Sequence, residues 1–462
     1  MKKKGIHFEV SERKILLRVF DILFVVFALY LVGLFFEFDY YTVSTTNFYW
    51  TIVLAVYILF LGSVFEMYNL QVASNQFQII RSLILTSSTT VLLYLLTPIF
   101  TPVLPSNRLQ ILIFFAAILG SLSVWRLFYL RFLASHRFVK KVILVCDQNQ
   151  VYELVAGLEN VDPHYKVLGF VNSDSQSESN DSTKIKNIPI DTLKDFVQKK
   201  SISEVVVASQ NTDGITTELY NQLISVLEKG YIIREYTQVY ESITQRIPVH
   251  YVSRDFYRYF PFSRSNQNQF YIIIVRFLEI IIAVIGITIG FLLTPLLLIS
   301  NIFWNKGQLF YKQERVGKNG KVFSIVKFRT MVKNAEEQGA VFATTNDSRV
   351  TPFGKILRKS RIDEFPQFIN VLKGEMAVIG PRPERPIFVK EIAEIMPFYE
   401  TRHVIKPGLT GWAQVNYPYG QTIDDSLIKL QYDLYYIKHR SLYLDVSIVF
   451  KTLSTVLFYR GQ

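Results

Sequence analysis

The pair of residues best suited to chemistry is Asp363-Glu364, which lies among cationic side chains. Arg358 and Arg361 precede the pair, and Arg382 follows it by less than twenty residues. Cations neutralise phosphate oxygens and keep an aspartate ionised, and an ionised aspartate can attack phosphorus to form an acyl phosphate. A neighbouring glutamate can share a divalent cation that bridges a diphosphate. An Asp-Glu pair alone is also typical of a solvated turn, so its meaning depends on its surroundings.

Two nearby segments carry further cations. Lys327 and Arg329 end a segment that we predict to be extended, so both side chains project to the same side, where they can hold a diphosphate or form a solvated basic face. An Asn-Gly turn at Asn319-Gly320 predicts that this segment pairs with the preceding one as a hairpin. Arg382 lies between two prolines, which hold it in an extended pose suited to clamping phosphate.

A loop rich in glycine and proline, residues 406–417, adds an aromatic ring and amides. Trp412 and Gln414 in this loop can face a base or a sugar, although one such loop is weak support for a binding site. Gln367 and Asn370, which follow the acidic pair, complete the set of predicted polar contacts to substrate.

The composition predicts a membrane protein with attached domains. The 462 residues are half apolar, and 15% are aromatic, which is too apolar for an average soluble enzyme. The 50 Lys and Arg residues exceed the 38 Asp and Glu residues, so the net charge of +12 suits anionic lipid headgroups or phosphate-rich ligands. No nucleic-acid-binding motif is present, and no nucleic-acid partner is expected. Cys146, the single cysteine, excludes an internal disulfide and is expected to be a buried strand residue.

Four apolar stretches, residues 16–36, 49–68, 79–100 and 109–133, are each close to the ~20 residues that cross a hydrocarbon core. Basic residues precede the first stretch and follow the fourth, so both ends of this predicted bundle, residues 1–137, are expected in the cytoplasm.

Residues 138–250 alternate short β-rich runs (142–145, 205–208 and 231–234) with helical patterns (151–158, 192–199 and 216–228), which predicts an α/β domain with a parallel, Rossmann-like sheet. The glycine-rich turn that would bring the backbone close to a pyrophosphate is missing after the first strand. We therefore expect a structural or regulatory role rather than nucleotide binding. A linker, residues 251–269, follows.

A fifth apolar stretch, residues 270–300, has basic residues on both flanks, so both ends are expected on the cytoplasmic side. Thr294-Pro295 within it predicts a break, and a re-entrant helix over about residues 270–303 satisfies both observations. A plain fifth crossing is the alternative. Arg276 and Glu279 are spaced to pair on one helix face, which favours a structural pair at headgroup level over catalysis.

Residues from about 270 to 462 closely resemble the bacterial sugar transferases, the polyprenyl-phosphate glycosyl-1-phosphate transferases. The matching motifs, in order, are residues 311–317, residues 327–331, Asp363-Glu364 with Pro366-Gln367 and Asn370, Pro381-Arg382-Pro383, and residues 407–416. Together with the bundle and the middle domain, they resemble the large, multidomain branch of that family.

The resemblance implies a fold class: a membrane α-helical bundle, a cytoplasmic Rossmann-like α/β domain, and a monotopic α+β catalytic domain with a re-entrant membrane helix. It also implies transfer of a sugar 1-phosphate from a UDP-sugar to undecaprenyl phosphate, with release of UMP, as the initiating step of capsule, exopolysaccharide or O-antigen synthesis. Mg²⁺ is the implied cofactor, and membrane lipid surrounds the protein in the bacterial inner membrane, with catalysis on the cytoplasmic face.

By the same resemblance Asp363 is the nucleophile, Glu364 its partner at the metal, and Arg358 and Arg382 contact phosphate. Two positions depart from the family pattern: Glu279 replaces an Asp, and Thr294 replaces the Ser before Pro295. Both changes are conservative.

The sequence leaves several alternatives open. An ordinary glycosyltransferase would release UDP, and a membrane scaffold with a decayed catalytic domain would release neither nucleotide. Either acidic residue of the pair can hold the metal. Sugar specificity is expected in residues 338–347 or 412–419, and the middle domain offers a surface for a homodimer.

Overall fold

A computed structural model describes residues 10–36, 38–42, 47–73, 76–133, 140–160, 165–173, 185–208, 216–249, 268–304, 307–332, 335, 347–396, 398–417 and 422–457. The chain forms two compact units, Met1–Thr244 and Gln245–Gln462.

The first unit begins with apolar helices, as the sequence predicts. They are α1 (Val10–Phe35), α2 (Phe48–Val64), α3 (Leu70–Ala73), α4 (Gln76–Leu96) and α5 (Leu109–Phe128), which continues into a π-helical turn, Tyr129–Leu133. By length and composition α1, α4 and α5 can each cross a membrane. Helix α2 has only 17 residues, because the chain turns after Val64 rather than at the predicted residue 68.

A buried ion pair joins α1 to α5. Arg126 Nη2 lies 2.7 Å from Asp21 Oδ2, and the two side chains are 1% and 0% exposed. The periodicity of the sequence gave no indication of this pair, although charges inside apolar helices are rare and are almost always partnered.

A four-stranded sheet forms the rest of the first unit. Its elements are β1 (Lys140–Cys146), α6 (Val151–Glu159), β2 (Tyr165–Asn172), α7 (Leu193–Lys199), β3 (Glu204–Val207), α8 (Thr217–Glu228), β4 (Ile232–Glu235) and α9 (Tyr236–Thr244). The strand order is β2-β1-β3-β4 and every pairing is parallel, which confirms the predicted parallel sheet. Strand β2 and helix α9 were not predicted. Cys146 is a fully buried free thiol in β1, as expected.

The edge of this sheet where a nucleotide-binding turn would lie is occupied by side chains. Asp147 follows β1, and its Oδ1 accepts a hydrogen bond of 2.5 Å from Ser173 Oγ after β2. A carboxylate at this position would repel a phosphate. The structural or regulatory role of this domain stays a prediction.

The second unit contains one long helix and a set of short elements. They are α10 (Gln269–Trp304), β5 (Phe310–Val316), β6 (Val322–Phe328), α11 (Pro352–Lys359), α12 (Phe368–Lys373), β7 (Ala377–Ile379), α13 (Pro386–Ile395), β8 (Gly408–Thr410), α14 (Trp412–Asn416), α15 (Ile423–His439) and α16 (Leu442–Leu457). Strands β5 and β6 form the predicted antiparallel hairpin, and β7 pairs with β8 in parallel. In the turn of the hairpin Asn319 and Gly320 have φ angles of 57° and 74°, the left-handed region that an Asn-Gly turn supplies.

Helix α10 packs on the second unit along one face. Its buried residues recur at helical spacing: Tyr271, Glu279, Ala283, Gly286, Gly290, Leu297 and Asn301. The other faces expose large apolar side chains, among them Phe277, Ile285 and Phe291. The helical conformation continues through Pro295, so the predicted break does not divide α10 into two helices. Thr294 Oγ1 donates to the carbonyl of Gly290 at 2.8 Å, next to the proline.

The predicted middle domain, residues 138–250, reaches a few residues too far. Ile247 and Val249 pack in the core of the second unit, and the backbone N–H of Ile247 donates to the carbonyl of Gln431 at 3.1 Å. The correction is small. It arises because a periodic pattern does not show which hydrophobic core a short apolar segment joins. Most of the predicted linker, residues 251–267, lies outside the described residues.

Candidate active site

A short 3₁₀ helix, Ile362–Gln367, carries the acidic pair. It begins after Arg361, whose φ of 58° is unusual for a residue with a side chain. The segment packs against α10 through the rings of Phe365 and Phe368. If Gly286 carried a Cβ, that atom would lie 2.3 Å from the Phe368 ring, and a Cβ on Gly290 would lie 3.4 Å from Phe365. Glycine at these two positions lets the acidic segment approach α10 closely.

Glu364 is the centre of a cluster of charges. Its Oε1 lies 3.0 Å from Arg382 Nη2, 3.2 Å from Lys327 Nζ and 3.6 Å from Arg361 Nη1. Burial alone would raise the pKa of Glu364, but Arg382, Lys327 and Arg361 together hold it below its usual range. Glu364 is therefore an anion at neutral pH, and it organises three cations around one oxygen.

Asp363, by contrast, is buried and has one carboxylate oxygen without a described hydrogen bond. Its side chain is 6% exposed, and Oδ1 has no hydrogen-bond partner among the described residues. Burial, with the charge of Glu364, raises the pKa of Asp363 to about 6, while Lys327, Arg358 and Arg361 oppose that rise. At neutral pH the group is ionised, desolvated and surrounded by positive potential, which are the properties of a nucleophilic carboxylate.

The structure brings Arg358 to the same region. It projects from α11, and its Nε donates to Thr330 Oγ1 at 3.0 Å, just beyond the end of β6. Its positive charge opposes the rise in the pKa of Asp363 that burial causes. The predicted site residues Lys327, Arg358, Arg361 and Arg382 therefore surround the two carboxylates.

The segment around Arg382 is held by two arginines that sequence reasoning did not assign to this role. Arg402 Nη2 donates to the carbonyl of Arg382 at 2.9 Å, and Arg315 Nη1 donates to the carbonyl of Pro383 at 3.3 Å. Arg402 is 4% exposed and pairs with Asp433 at 2.8 Å and with the Tyr399 hydroxyl. The prolines restrict the backbone, and these two guanidinium groups fix its position.

The described contacts of Arg329 are with Gln308 and Tyr311, outside the charge cluster around Glu364. It comes directly after β6, where its Nε donates to the carbonyl of Gln308 at 2.8 Å and its guanidinium lies 5.8 Å from the centre of the Tyr311 ring. Tyr311 pairs in register with Lys327, and cross-strand partners project to the same face of a hairpin. Because Arg329 lies over the Tyr311 ring, Lys327 and Arg329 are on the same side of the hairpin, as predicted.

Trp412 is a core residue. It is 2% exposed, its Nε1 donates to the carbonyl of Gln245 at 3.2 Å, and Lys451 Nζ lies 4.4 Å from its ring centre. Gln414 Nε2 donates to the carbonyl of Leu409 at 3.3 Å, within the same loop. These positions suit packing and loop geometry, and the buried Trp412 ring does not fit the predicted contact with a base or a sugar.

The predicted amides after the acidic pair are both buried. Asn370 Nδ2 donates to the carbonyl of Ser324 at 2.8 Å and to Glu375 Oε2 at 2.7 Å, so Asn370 ties α12 to β6. Gln367 is 4% exposed and its Nε2 has no hydrogen-bond partner among the described residues. Of the two, Gln367 has an Nε2 group that can donate a hydrogen bond to a substrate oxygen.

Arg276 and Glu279 form the predicted pair at 3.3 Å. Arg276 also donates to the carbonyls of Val371 and Leu372, both at 2.8 Å, at the carboxyl end of α12. A cation is stabilising at that end of a helix. The geometry fits the favoured structural interpretation, because the pair anchors α10 to the element that follows the acidic segment.

The acidic pair suits Mg²⁺, although no larger cluster of ligands is available in the described part of the chain. No group of three or more His, Cys, Asp or Glu side chains there has the arrangement of a metal site. Mg²⁺ is commonly bound by one or two carboxylates, with water and substrate phosphates as the other ligands. The unpartnered Oδ1 of Asp363 fits that role, while Oε1 of Glu364 is already engaged by cations.

Comparisons with known proteins agree on the catalytic unit. The family model "Bacterial sugar transferase" matches residues 270–459. A protein of Aeromonas hydrophila, named UDP-N-acetylgalactosamine-undecaprenyl-phosphate N-acetylgalactosaminephosphotransferase, is 40% identical over 257 residues, which are 55% of this chain and 59% of that protein. A UDP-glucose:undecaprenyl-phosphate glucose-1-phosphate transferase of Klebsiella pneumoniae is 38% identical over 200 residues, 42% of each chain.

The match spans about half the length of these two relatives. It covers more of a shorter one: an uncharacterized sugar transferase of Bacillus subtilis (strain 168) is 37% identical over 157 residues, which are 33% of this chain and 72% of that protein. The chain length and the additional unit before the matched region are consistent with a multidomain architecture. On these matches and on the geometry of the acidic pair, the chain belongs to the bacterial sugar transferase family.

Proposed function

We propose that the protein transfers a sugar 1-phosphate from a UDP-sugar to undecaprenyl phosphate and releases UMP. The observation that carries the proposal is the pairing of Glu364, held by three cations, with Asp363, whose buried Oδ1 has no partner in the described part of the protein. The names of the two longer relatives contain the same donor and acceptor classes. In this proposal the reaction starts the synthesis of a capsule, exopolysaccharide or O-antigen.

In the first step the Asp363 carboxylate attacks the β-phosphorus of the UDP-sugar. A bond forms between the carboxylate oxygen and phosphorus, the bond from phosphorus to the bridging oxygen breaks, and UMP leaves with that oxygen. Lys327, Arg361 and Arg382 lie where the charge of the diphosphate can be offset. The chemistry that Mg²⁺ supplies when bound is further neutralisation of phosphate oxygens.

In the second step a phosphate oxygen of undecaprenyl phosphate attacks the same phosphorus. The new bond is a diphosphate linkage, the acyl phosphate bond breaks, and Asp363 is regenerated as a carboxylate. Glu364 does not exchange bonds in either step. It holds the three cations while the total charge on the phosphates changes.

The packing of α10 supports a monotopic arrangement, and for α10 to be re-entrant as well the continuous helix must bend at Pro295. Contacts with the rest of the unit run from Tyr271, which hydrogen-bonds Asp445, to Asn301, which donates to the carbonyl of Gly307. Thirty residues of helix extend for about 45 Å at about 1.5 Å per residue, more than the ~30 Å of a hydrocarbon core. A helix crossing the bilayer would draw the polar elements packed on it into lipid, so α10 is better suited to dipping into the cytoplasmic face of the inner membrane.

Labelling of single cysteines tests this topology. In a Cys146→Ala background, Gln269→Cys lies at the first residue of α10 and Gln308→Cys lies after its end, both at exposed positions. Asp39→Cys lies between the first two apolar stretches, a segment that the predicted topology places outside the cytoplasm. A membrane-impermeant maleimide added to intact spheroplasts should label the cysteine at position 39 and neither of the other two, whereas inside-out vesicles should reverse the pattern. External labelling at position 308, without labelling at position 269, would instead establish a full crossing by α10.

The identity of the released nucleotide tests the reaction. Purified protein in nanodiscs with undecaprenyl phosphate should release UMP from at least one UDP-sugar, because attack occurs at the β-phosphorus. Chelation of divalent cations with EDTA should stop the release, and added Mg²⁺ should restore it. Release of UDP would show transfer of the sugar alone, and a protein silent with every UDP-sugar would favour the scaffold alternative.

A further inference from the structure

A pocket lies beside the first turns of α10, away from the acidic pair. It has a volume of about 500 Å³, and its lining includes four cations, Arg276, Lys318, Lys406 and Arg440, with the single carboxylate Glu279. The other lining residues are apolar: Ile272, Val275, Ala377, Ile379, Val404 and Ile405. The pocket is therefore amphipathic, with an excess of positive charge.

The pocket is separate from the catalytic carboxylates. Gly290 of α10 packs against Phe365, the neighbour of Glu364, whereas Arg276 lies fourteen residues earlier in the same helix. At about 1.5 Å per residue, Arg276 and Gly290 are about 21 Å apart along the helix axis. The residues that line the pocket include no member of the charge cluster, which consists of Asp363, Glu364, Lys327, Arg361 and Arg382.

The cations of the pocket are not equally engaged by the protein. Arg276 is occupied by Glu279 and by the carbonyls at the end of α12, and Arg440 lies over the rings of Tyr271 and Tyr436. The ammonium groups of Lys318 and Lys406 have no hydrogen-bond or ion-pair partner within the described residues, and they come from different parts of the unit.

The surroundings of Lys406 show that the cations crowd together. Its Nζ and Arg276 Nη2 lie 3.5 and 3.6 Å from the position that a Cβ on Gly374 would occupy. Burial lowers the pKa of Lys406, and the charges of Arg276, Lys318 and Arg440 lower it further, opposed by Glu279. Positive charges held close together from separate elements are stabilised when an anion binds between them.

The apolar lining of the pocket reaches the exposed surface of α10. Ile272 lines the pocket and is itself 36% exposed. A ligand that filled the pocket would place its anionic group on the lysines and its hydrocarbon part along this surface. A free inorganic anion would leave the apolar lining residues without a contact.

We propose that this pocket binds the phosphate headgroup of an anionic phospholipid, at a site distinct from the catalytic carboxylates. The headgroup phosphate accepts hydrogen bonds from Lys318 and Lys406, and the first acyl carbons lie against Ile272 and Val275. The bound lipid fixes the depth at which the beginning of α10 sits in the membrane interface.

The test compares two double variants of the full-length protein in neutral detergent. Lys318→Gln with Lys406→Gln removes the two pocket lysines, and Lys321→Gln with Lys390→Gln removes the same charge from exposed positions that do not line the pocket. Binding of dioctanoyl phosphatidylglycerol, measured by native mass spectrometry, should weaken by about tenfold or more in the pocket variant, equivalent to about 1.4 kcal/mol. The control variant should bind like the wild type.

Further arms identify the ligand class. Lys318→Arg with Lys406→Arg keeps the charges and should retain binding, which guards against a loss caused by misfolding. Dioctanoyl phosphatidylcholine and inorganic phosphate should both bind more weakly than phosphatidylglycerol. Equal loss in the two glutamine variants, equal binding of the two lipids, or inorganic phosphate binding as tightly as phosphatidylglycerol would each overturn the proposal.

Discussion

Asp363→Asn is expected to lower kcat by at least about a thousandfold, because an amide oxygen is too weak a nucleophile to attack phosphorus. The substitution preserves the size of the side chain, and the buried Oδ1 of Asp363 has no partner to lose among the described residues. The folded state should therefore survive, and binding of the UDP-sugar should change much less than turnover. Release of UMP under saturating substrate is the measurement.

A matched control separates chemistry from charge. Asp424→Asn makes the same substitution at an exposed position in the first turn of α15 and should leave kcat within about twofold of the wild type, as surface changes usually do. If Asp363→Asn kept near-normal turnover, the nucleophile would have to be another group, and Glu364 would be the first to examine.

Arg402→Met is expected to reduce the free energy of unfolding by about 3–5 kcal/mol, the usual cost of removing one partner of a buried ion pair. The substitution leaves Asp433, 1% exposed, without its cation and removes the donor to the carbonyl of Arg382. The stability loss is measured by thermal unfolding in detergent, and kcat should fall because Arg382 is no longer held against Glu364.

The double variant Arg402→Met with Asp433→Leu distinguishes a positioning role from a structural one. Replacing both charges by apolar groups should recover much of the lost stability. It cannot restore the hydrogen bond to the Arg382 carbonyl, so kcat should remain low while KM changes less. A double variant with normal stability and normal kcat would show that Arg402 acts only in folding.

Local patterns in the sequence were sufficient for most of the secondary structure. The alternation of β-rich and helical segments predicted β1, β3, β4 and three helices of the sheet domain, because each strand is a short apolar run bounded by turn residues. The Asn319-Gly320 turn predicted the hairpin, and helical spacing predicted the Arg276–Glu279 pair. In each case the determining interaction is between residues close in sequence.

The errors concern contacts between distant residues. Arg402 contacts a carbonyl twenty residues earlier and a carboxylate thirty-one residues later, and nothing in its neighbourhood marks it as buried. Trp412 looks available in a loop rich in glycine and proline, but its burial depends on Gln245 and Lys451 from other parts of the chain. Buried polar contacts of this kind follow from tertiary packing, which local periodicity does not contain.

The proposed specificity loops are only partly described. Residues 336–346 and 418–421 lie outside the described residues, so the predicted sugar contacts in 338–347 and 412–419 remain predictions apart from the core position of Trp412. Asp347 at the end of the first loop is described, and its pKa is lowered chiefly by hydrogen bonding to Arg349, at 2.6 Å.

The central claim, that Asp363 carries the sugar phosphate during transfer, is tested most directly by mass spectrometry without an acceptor. Purified protein depleted of polyprenyl phosphate is mixed with the UDP-sugar that supports UMP release, quenched in acid and digested. We expect about one UMP released for each active protein and a peptide containing Asp363 that is heavier by one sugar phosphate, both absent in Asp363→Asn. UMP release that requires the acceptor and leaves no modified peptide would contradict the account, because transfer would then be a single direct step.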